Sequence, residues 1–182
     1  MFILYAVAIG LVLGLVLGGR PAGLADLQIR WPWLMMAGLL AQVALFSAPV
    51  TDRIGALGPP IYVASTAAVL VAVLRNIRTA GMPVVALGAL SNLVAITANG
   101  GVMPTTREAL AAAGLDGPGV ATNSAIVANP VFQPLTDIFA IPAGVPLANV
   151  FSVGDVLIGL GIVLIVAAVM IRRPLTPAGA TA

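Results

Sequence analysis

Apolar residues fall in five long runs along the chain, at about 2–18, 32–50, 60–74, 82–98 and 151–171, with polar or Gly/Pro-rich breaks between them. Several of these runs approach the roughly 20 residues that a helix needs to cross a bilayer. The first run lacks the positive start of a secretory signal and ends in LGGRPAG, a poor cleavage site, so it reads as a retained helix. The second is entered through WPW, whose Trp31 and Trp33 suit a membrane interface. Pro60 sits at the start of the third, where its missing N–H does no harm. The fourth runs into NGG, a helix stop. The pattern predicts an all-α polytopic membrane protein. Its single domain, 1–182, is a bundle of about five transmembrane helices with one long loop, 99–150, containing a short helix.

Inside that loop, TTREALAAAG predicts the short helix, with Thr105 and Glu108 as a capping box and Gly114 as its stop. The stretch 116–129 is polar and punctuated by Gly and Pro, a surface excursion. From 130 to 146 the chain turns apolar among four prolines, as a segment lying at the membrane surface over the bundle.

Composition supports the membrane class. The 182 residues are 60% hydrophobic and 8% charged, where a soluble domain carries about a quarter charged residues. Arg20, Arg30, Arg75, Arg78, Arg172 and Arg173 fall on one side of a five-span topology, and Arg53 and Arg107 on the other. The positive-inside rule places the C-terminus in the cytoplasm and the 99–150 loop outside. The net charge of +2 therefore speaks to topology rather than to nucleic-acid binding.

The chain has no Cys, His or Lys. That removes disulfides and Cys nucleophiles, Ser–His triads, the usual zinc ligands, and Schiff-base or phosphate-loop lysines. No cofactor and no metal is expected. Acid–base chemistry falls to six carboxylates: Asp26, Asp52, Glu108, Asp116, Asp137 and Asp155.

Asp155 stands in the first turns of the fifth run, within FSVGD. As a cap it makes an S-x-x-D start signal with Ser152 and complements the helix dipole. As half of a catalytic pair it would work with Asp137, eighteen residues earlier, because Pro142 and Pro146 let the chain fold back. Two carboxylates sharing a partly buried site cannot both ionise cheaply, so one keeps a proton. Such a pair holds a base to activate water and an acid for the leaving amine.

LTDIFAIPAGVPLANVFSVGDVLIGLG, from Leu135 to Gly161, resembles the end of lipoprotein signal peptidase, signal peptidase II. The resemblance implies an intramembrane aspartic peptidase with Asp137 and Asp155 on the two catalytic positions. ALSNLV places Asn92 on that family's Asn, while Ala95 and Ile96 stand where the family carries Asp and Arg. NGGVMP with VFSVGDVLI also resembles a family of small, uncharacterised bacterial membrane proteins, which implies a multi-pass protein of the bacterial cytoplasmic membrane and no activity.

Around the two acids, Asn92 is either a partner of a catalytic Asp or interhelical glue. Asn99, Gly100 and Gly101 either shape a site or end a helix. Ser152 is the cap, Gln42 and Ser91 are packing contacts, and Asp52–Arg53 and Arg107–Glu108 are solvated loop charges. Gly10, Gly14 and Gly18 have small-xxx-small spacing, suited to close helix packing or dimerisation. Met35, Met36, Met103 and Met170 read as core or lipid-facing filler. Three functions stay open: an aspartic peptidase acting on a peptide or membrane-protein substrate, a non-enzymatic subunit whose loop docks a partner, and a transporter using Asp155.

Overall fold

The computed structural model describes residues 2–47, 50, 53–117 and 123–171; Asp52, Arg172 and Arg173 lie outside them. Five long helices dominate: α1 Phe2–Val16, α2 Pro32–Leu45, α3 Gly58–Arg75, α4 Met82–Ala98 and, at the end, α6 Val153–Ile171. Two of these segments are long and apolar enough to cross a membrane, α6 and α3 with the turn that leads into it, Gly55–Arg75. The other three are shorter apolar helices.

Helix ends differ from the apolar runs because hydropathy does not mark a terminus. α1 stops at Val16, ahead of Gly18, whose φ of +78° leaves the helical region. α2 stops at Leu45 rather than near 50, with the Ser47 hydroxyl donating to the Ala44 carbonyl at 2.6 Å. α6 begins at Val153 because the two residues before it belong to a strand and a cap.

The all-α expectation is corrected by four strands in the 99–150 loop: β1 Met103–Thr105, β2 Ser124–Ile126, β3 Phe139–Ile141 and β4 Asn149–Phe151. β1 and β2 pair in parallel, and β3 and β4 pair antiparallel. Three-residue strands leave no readable alternation, yet they give the loop backbone its hydrogen-bond partners. The short helix α5, Arg107–Ala113, is capped by Thr106, which accepts from the Ala109 N–H at 3.1 Å. Thr105 is the last residue of β1, so the predicted Thr105–Glu108 box is displaced by one residue.

α6 packs between α1 and α4, and α3 packs between α4 and α2, giving the spatial order α1, α6, α4, α3, α2. Small residues bring these helices close. A Cβ at Gly10 would meet Val166 at 2.9 Å, and one at Gly14 would meet Met170 at 2.6 Å, so both face α6. A Cβ at Gly18 would meet nothing within 4 Å. On the other side of α6, Gly161 faces Gly81 and Gly154 faces Gly88, and a Cβ at any of the four would collide with the opposing helix. One core cluster, including Val73, Met82, Val85 and Ile165, joins α3, α4 and α6 near one end. Another, with Leu45, Tyr62, Ile96 and Met103, fills the space beneath the loop. The loop builds its own small core from Ala109, Leu110, Ala113 and Val150.

The bundle has two chemically different ends. At one, the Arg20 N–H donates to the Met170 carbonyl, and Arg30 exchanges two hydrogen bonds of 2.7 Å with the Asn76 side chain. Arg75 stands over the Trp31 ring, 5.7 Å from its centroid. At the other end lie the four strands, α5 and both Asp137 and Asp155.

Candidate functional site

Asp155 is held from two helices. Its Oδ2 accepts the Ser152 N–H at 3.0 Å, while Ser152 Oγ accepts the Asp155 N–H at 3.1 Å. That reciprocal pair satisfies donors which a helix start leaves open. From α4, Asn92 Nδ2 donates to Asp155 Oδ1 at 2.9 Å. Ser152 Oγ lies 2.8 Å from Asn92 Oδ1 and 3.1 Å from Asp155 Oδ2, and its single proton serves one of them. Asn92, Ser152 and Asp155 thus form one network across the α4–α6 contact. Asp155 is at once a capping residue and the end of an interhelical bond.

Asp137 reaches the same region from the loop. Its N–H donates to the Pro104 carbonyl at 2.9 Å, and its carbonyl accepts from Thr105 Oγ1 at 2.7 Å. It bridges β1 on the edge opposite β2. β1 therefore lies between Asp137 and Ser124, and the Ser124 hydroxyl donates to Asp137 Oδ2 at 2.5 Å. The Asp137 side chain is 2% exposed, and among the described residues its Oδ1 has no hydrogen-bond partner. Burial pushes its carboxyl up, the Asp155 charge adds to the rise, and the Ser124 bond offsets part of it, leaving a pKa of about 7. The two acids are close enough to interact electrostatically.

Tyr62 of α3 completes the cluster. Its side chain is hydrogen-bonded to that of Asn123, and both carboxylates act on it electrostatically. Beside it lies a pocket of about 220 Å³ whose lining includes Leu45, Phe46, Ile54, Tyr62, Val102 and Ser124.

The remaining expected residues have other work. Asn99, Gly100 and Gly101 end α4: the Gly101 N–H reaches the Ile96 carbonyl at 2.9 Å and the Gly100 N–H the Thr97 carbonyl at 3.3 Å, with both glycines at positive φ. This is a Schellman stop. The Asn99 side chain clamps Val131, accepting from its N–H at 2.8 Å and donating to its carbonyl at 2.9 Å. These three residues shape the floor of the loop, and among the described residues no hydrogen bond joins them to either acid. Gln42 donates to Thr66 at 3.3 Å between α2 and α3. Among the described residues, buried Ser91 Oγ has no partner. Arg107 and Glu108 are exposed, Met36 is exposed, and Met103 and Met170 are buried. No group of three or more potential metal ligands occurs among the described residues.

Sequence reasoning missed Ser124, Tyr62 and Asn123. Ser124 and Asn123 lie in the polar stretch read as a surface excursion, and nothing local marks them. The facing glycines did carry a signal: Gly81 and Gly88 are seven residues apart, as are Gly154 and Gly161, the spacing of one helix face.

Fold and site together define a mostly helical protein with two candidate membrane spans and a loop that buries one carboxyl group within electrostatic reach of a second. Residues 26–167 match the family of unknown function DUF5317, and the chain belongs to that family. No curated protein and no solved structure matches it.

Proposed function

We propose that the chain is a five-span protein of the cytoplasmic membrane, and that Asp137 and Asp155 are the dyad of an intramembrane aspartic peptidase resembling signal peptidase II. The membrane part draws support from the apolar surface of the short helices, where Leu4, Ile9, Val12 and Val16 of α1 and Trp33, Leu40 and Val43 of α2 are all exposed. At 1.5 Å per residue, a 14-residue helix such as α2 covers about 21 Å, less than the roughly 30 Å hydrocarbon core. Flanking turns, or local thinning of the bilayer, make up the difference. The arginine-bearing end lies opposite the acid-bearing end, in keeping with an inside and an outside face.

The observation that carries the catalytic reading is Asp137: buried, with one oxygen that has no hydrogen-bond partner among the described residues, and within electrostatic reach of Asp155. The two environments divide the roles. Asp155 is surrounded by donors that suit a carboxylate, so it is the base. Asp137 carries the proton and is the acid. Asp155 takes a proton from water as its oxygen adds to the scissile carbonyl, while Asp137 protonates the carbonyl oxygen, giving a neutral gem-diol. As the C–N bond breaks, Asp155 passes its proton to the leaving nitrogen and Asp137 recovers one from the gem-diol. No metal, His or Cys is needed.

The test is cleavage of membrane-segment peptides by the purified protein in nanodiscs. Loss in both Asp137→Asn and Asp155→Asn, at normal protein level and fold, supports the reading. The capping geometry of Asp155 favours a second one, a non-catalytic subunit whose loop docks a partner. Full activity, or a full cellular phenotype, in both variants selects that reading instead.

A further inference from the structure

Beside the acids, the pocket of about 220 Å³ is walled by Leu45 and Phe46 from the end of α2, Ile54 from the approach to α3, and Pro59 and Tyr62 of α3. Three glycines, Gly55, Gly58 and Gly101, also line it, and at Gly55 and Gly58 there is room where a side chain would stand. Its far wall is Asn123, Ser124 and Ala125. The polar side chains among its lining residues are those of Asn123, Ser124 and Tyr62. Ser124 is shared: it lines the pocket and donates to Asp137 Oδ2. The pocket therefore lies against a residue that also holds the acid.

We propose that this pocket is a specificity site that receives one leucine-sized apolar side chain of an extended polypeptide substrate, from a residue near the bond to be cleaved. The proposal rests on the peptidase reading for the role of that side chain, though not for the binding itself. Size sets the occupant. Pockets for drug-sized ligands run to about 300–1,000 Å³, and this one is smaller, suited to a single side chain. An apolar wall rewards burial of such a group in proportion to its area, whereas stripping water from a lysine ammonium there is costly. Continuity with Asp137 through Ser124 favours a residue of the reacting polypeptide over a separate ligand.

Gly58 offers a direct probe. Its backbone is helical, with φ −54° and ψ −59°. A Cβ there would lie 3.5 Å from Ile54 and 3.9 Å from Leu45, in ordinary contact, so a side chain enters the pocket without displacing backbone. Alanine at a helical position is also better tolerated than glycine.

The experiment uses the full chain in nanodiscs carrying Asp155→Asn, so that turnover is absent. The probes are twelve-residue peptides of Ala and Gly with a single photo-leucine, compared for Gly58, Gly58→Ala and Gly58→Val. The expected result is cross-linking at Phe46 or Tyr62, reduced at least tenfold by Gly58→Val and by an intermediate factor in Gly58→Ala, with unchanged melting temperatures. Unlabelled Leu-bearing peptide competes, and its Ala and Lys counterparts do not. Labelling indifferent to both Gly58 changes overturns the proposal. So does displacement by palmitate but not by the Leu peptide, which would assign the pocket to an acyl chain. Should Asp137→Asn and Asp155→Asn keep full cleavage activity while this labelling pattern holds, the peptidase reading fails and the side-chain site stands.

Discussion

Gly154 and Asn92 meet across the α4–α6 interface so closely that a Cβ on Gly154 would overlap Asn92 Oδ1. That contact lets the Asn92 amide reach Asp155 at 2.9 Å and Ser152 at 2.8 Å. The absence of a side chain at one position thereby fixes the orientation of a carboxylate one residue further on.

Replacing Gly154 with Ala forces Asn92 aside or pushes the helices apart. Overpacking of this kind costs about 1–3 kcal/mol, and the network around Asp155 goes with it. Thermal unfolding in detergent should show a lowered midpoint for Gly154→Ala. Gly144→Ala is the control, because nothing lies within 4 Å of that site, and it should be near neutral. Equal effects from the two would contradict the contact.

Asn92→Ala removes the interhelical donor and leaves part of Asp155 unsatisfied. Losing a part-buried hydrogen bond of this kind costs about 0.5–1.5 kcal/mol. Ser152→Ala should cost about 1 kcal/mol through the lost cap. Both touch one network, so a double-mutant cycle should show coupling rather than additivity. Simple addition of the two losses would mean that Asn92 and Ser152 act separately.

Stability should fall as pH rises through the range set by Asp137. An ordinary Asp carboxyl titrates near 3.9, while in the fold it is held up to about 7, first by burial, then by the Asp155 charge, against the opposing Ser124 bond. The unfolded chain gives up this proton before the folded one does. The stabilisation is therefore full below about pH 4, declines toward pH 7 and stays lost above it, about 4 kcal/mol in all. Asp137→Asn should flatten that part of the profile and raise the melting temperature at pH 8. The same slope in the variant would contradict a buried, protonated Asp137.

Ser124→Ala removes a donor that favours the ionised form of Asp137. On the peptidase reading proposed above, the alkaline limb of the activity profile should move to higher pH. A downward move would mean that Ser124 is not the group restraining Asp137.

Much of the helical frame is legible in the sequence, because long apolar runs need no partner to be recognised. The α4 boundaries, Met82 and Ala98, coincide with the apolar run, since Gly81 and the NGG stop bracket it. The second apolar run overshoots α2, which ends at Leu45, because Phe46, Ala48 and Val50 continue the apolar character past the helix end. The strands were hidden for a different reason. Met103 pairs with Ser124 and Thr105 bridges to Asp137, distant contacts with no local period. The same distance concealed Ser124 and Tyr62, whose importance comes only from what they touch. Asp155 was legible as a cap, and the alternative of a pair could not be weighed until Asn92 and Asp137 had positions.

The most direct test of the central claim is an infrared titration of the protonated carboxyl band in the full chain. For the unaltered protein the band should disappear near pH 7 and be absent in Asp137→Asn. In Asp155→Asn its midpoint should move to lower pH, because a neighbouring negative charge has been removed. An identical midpoint with and without the Asp155 charge would show that the two acids do not sense each other, and the dyad would be refuted.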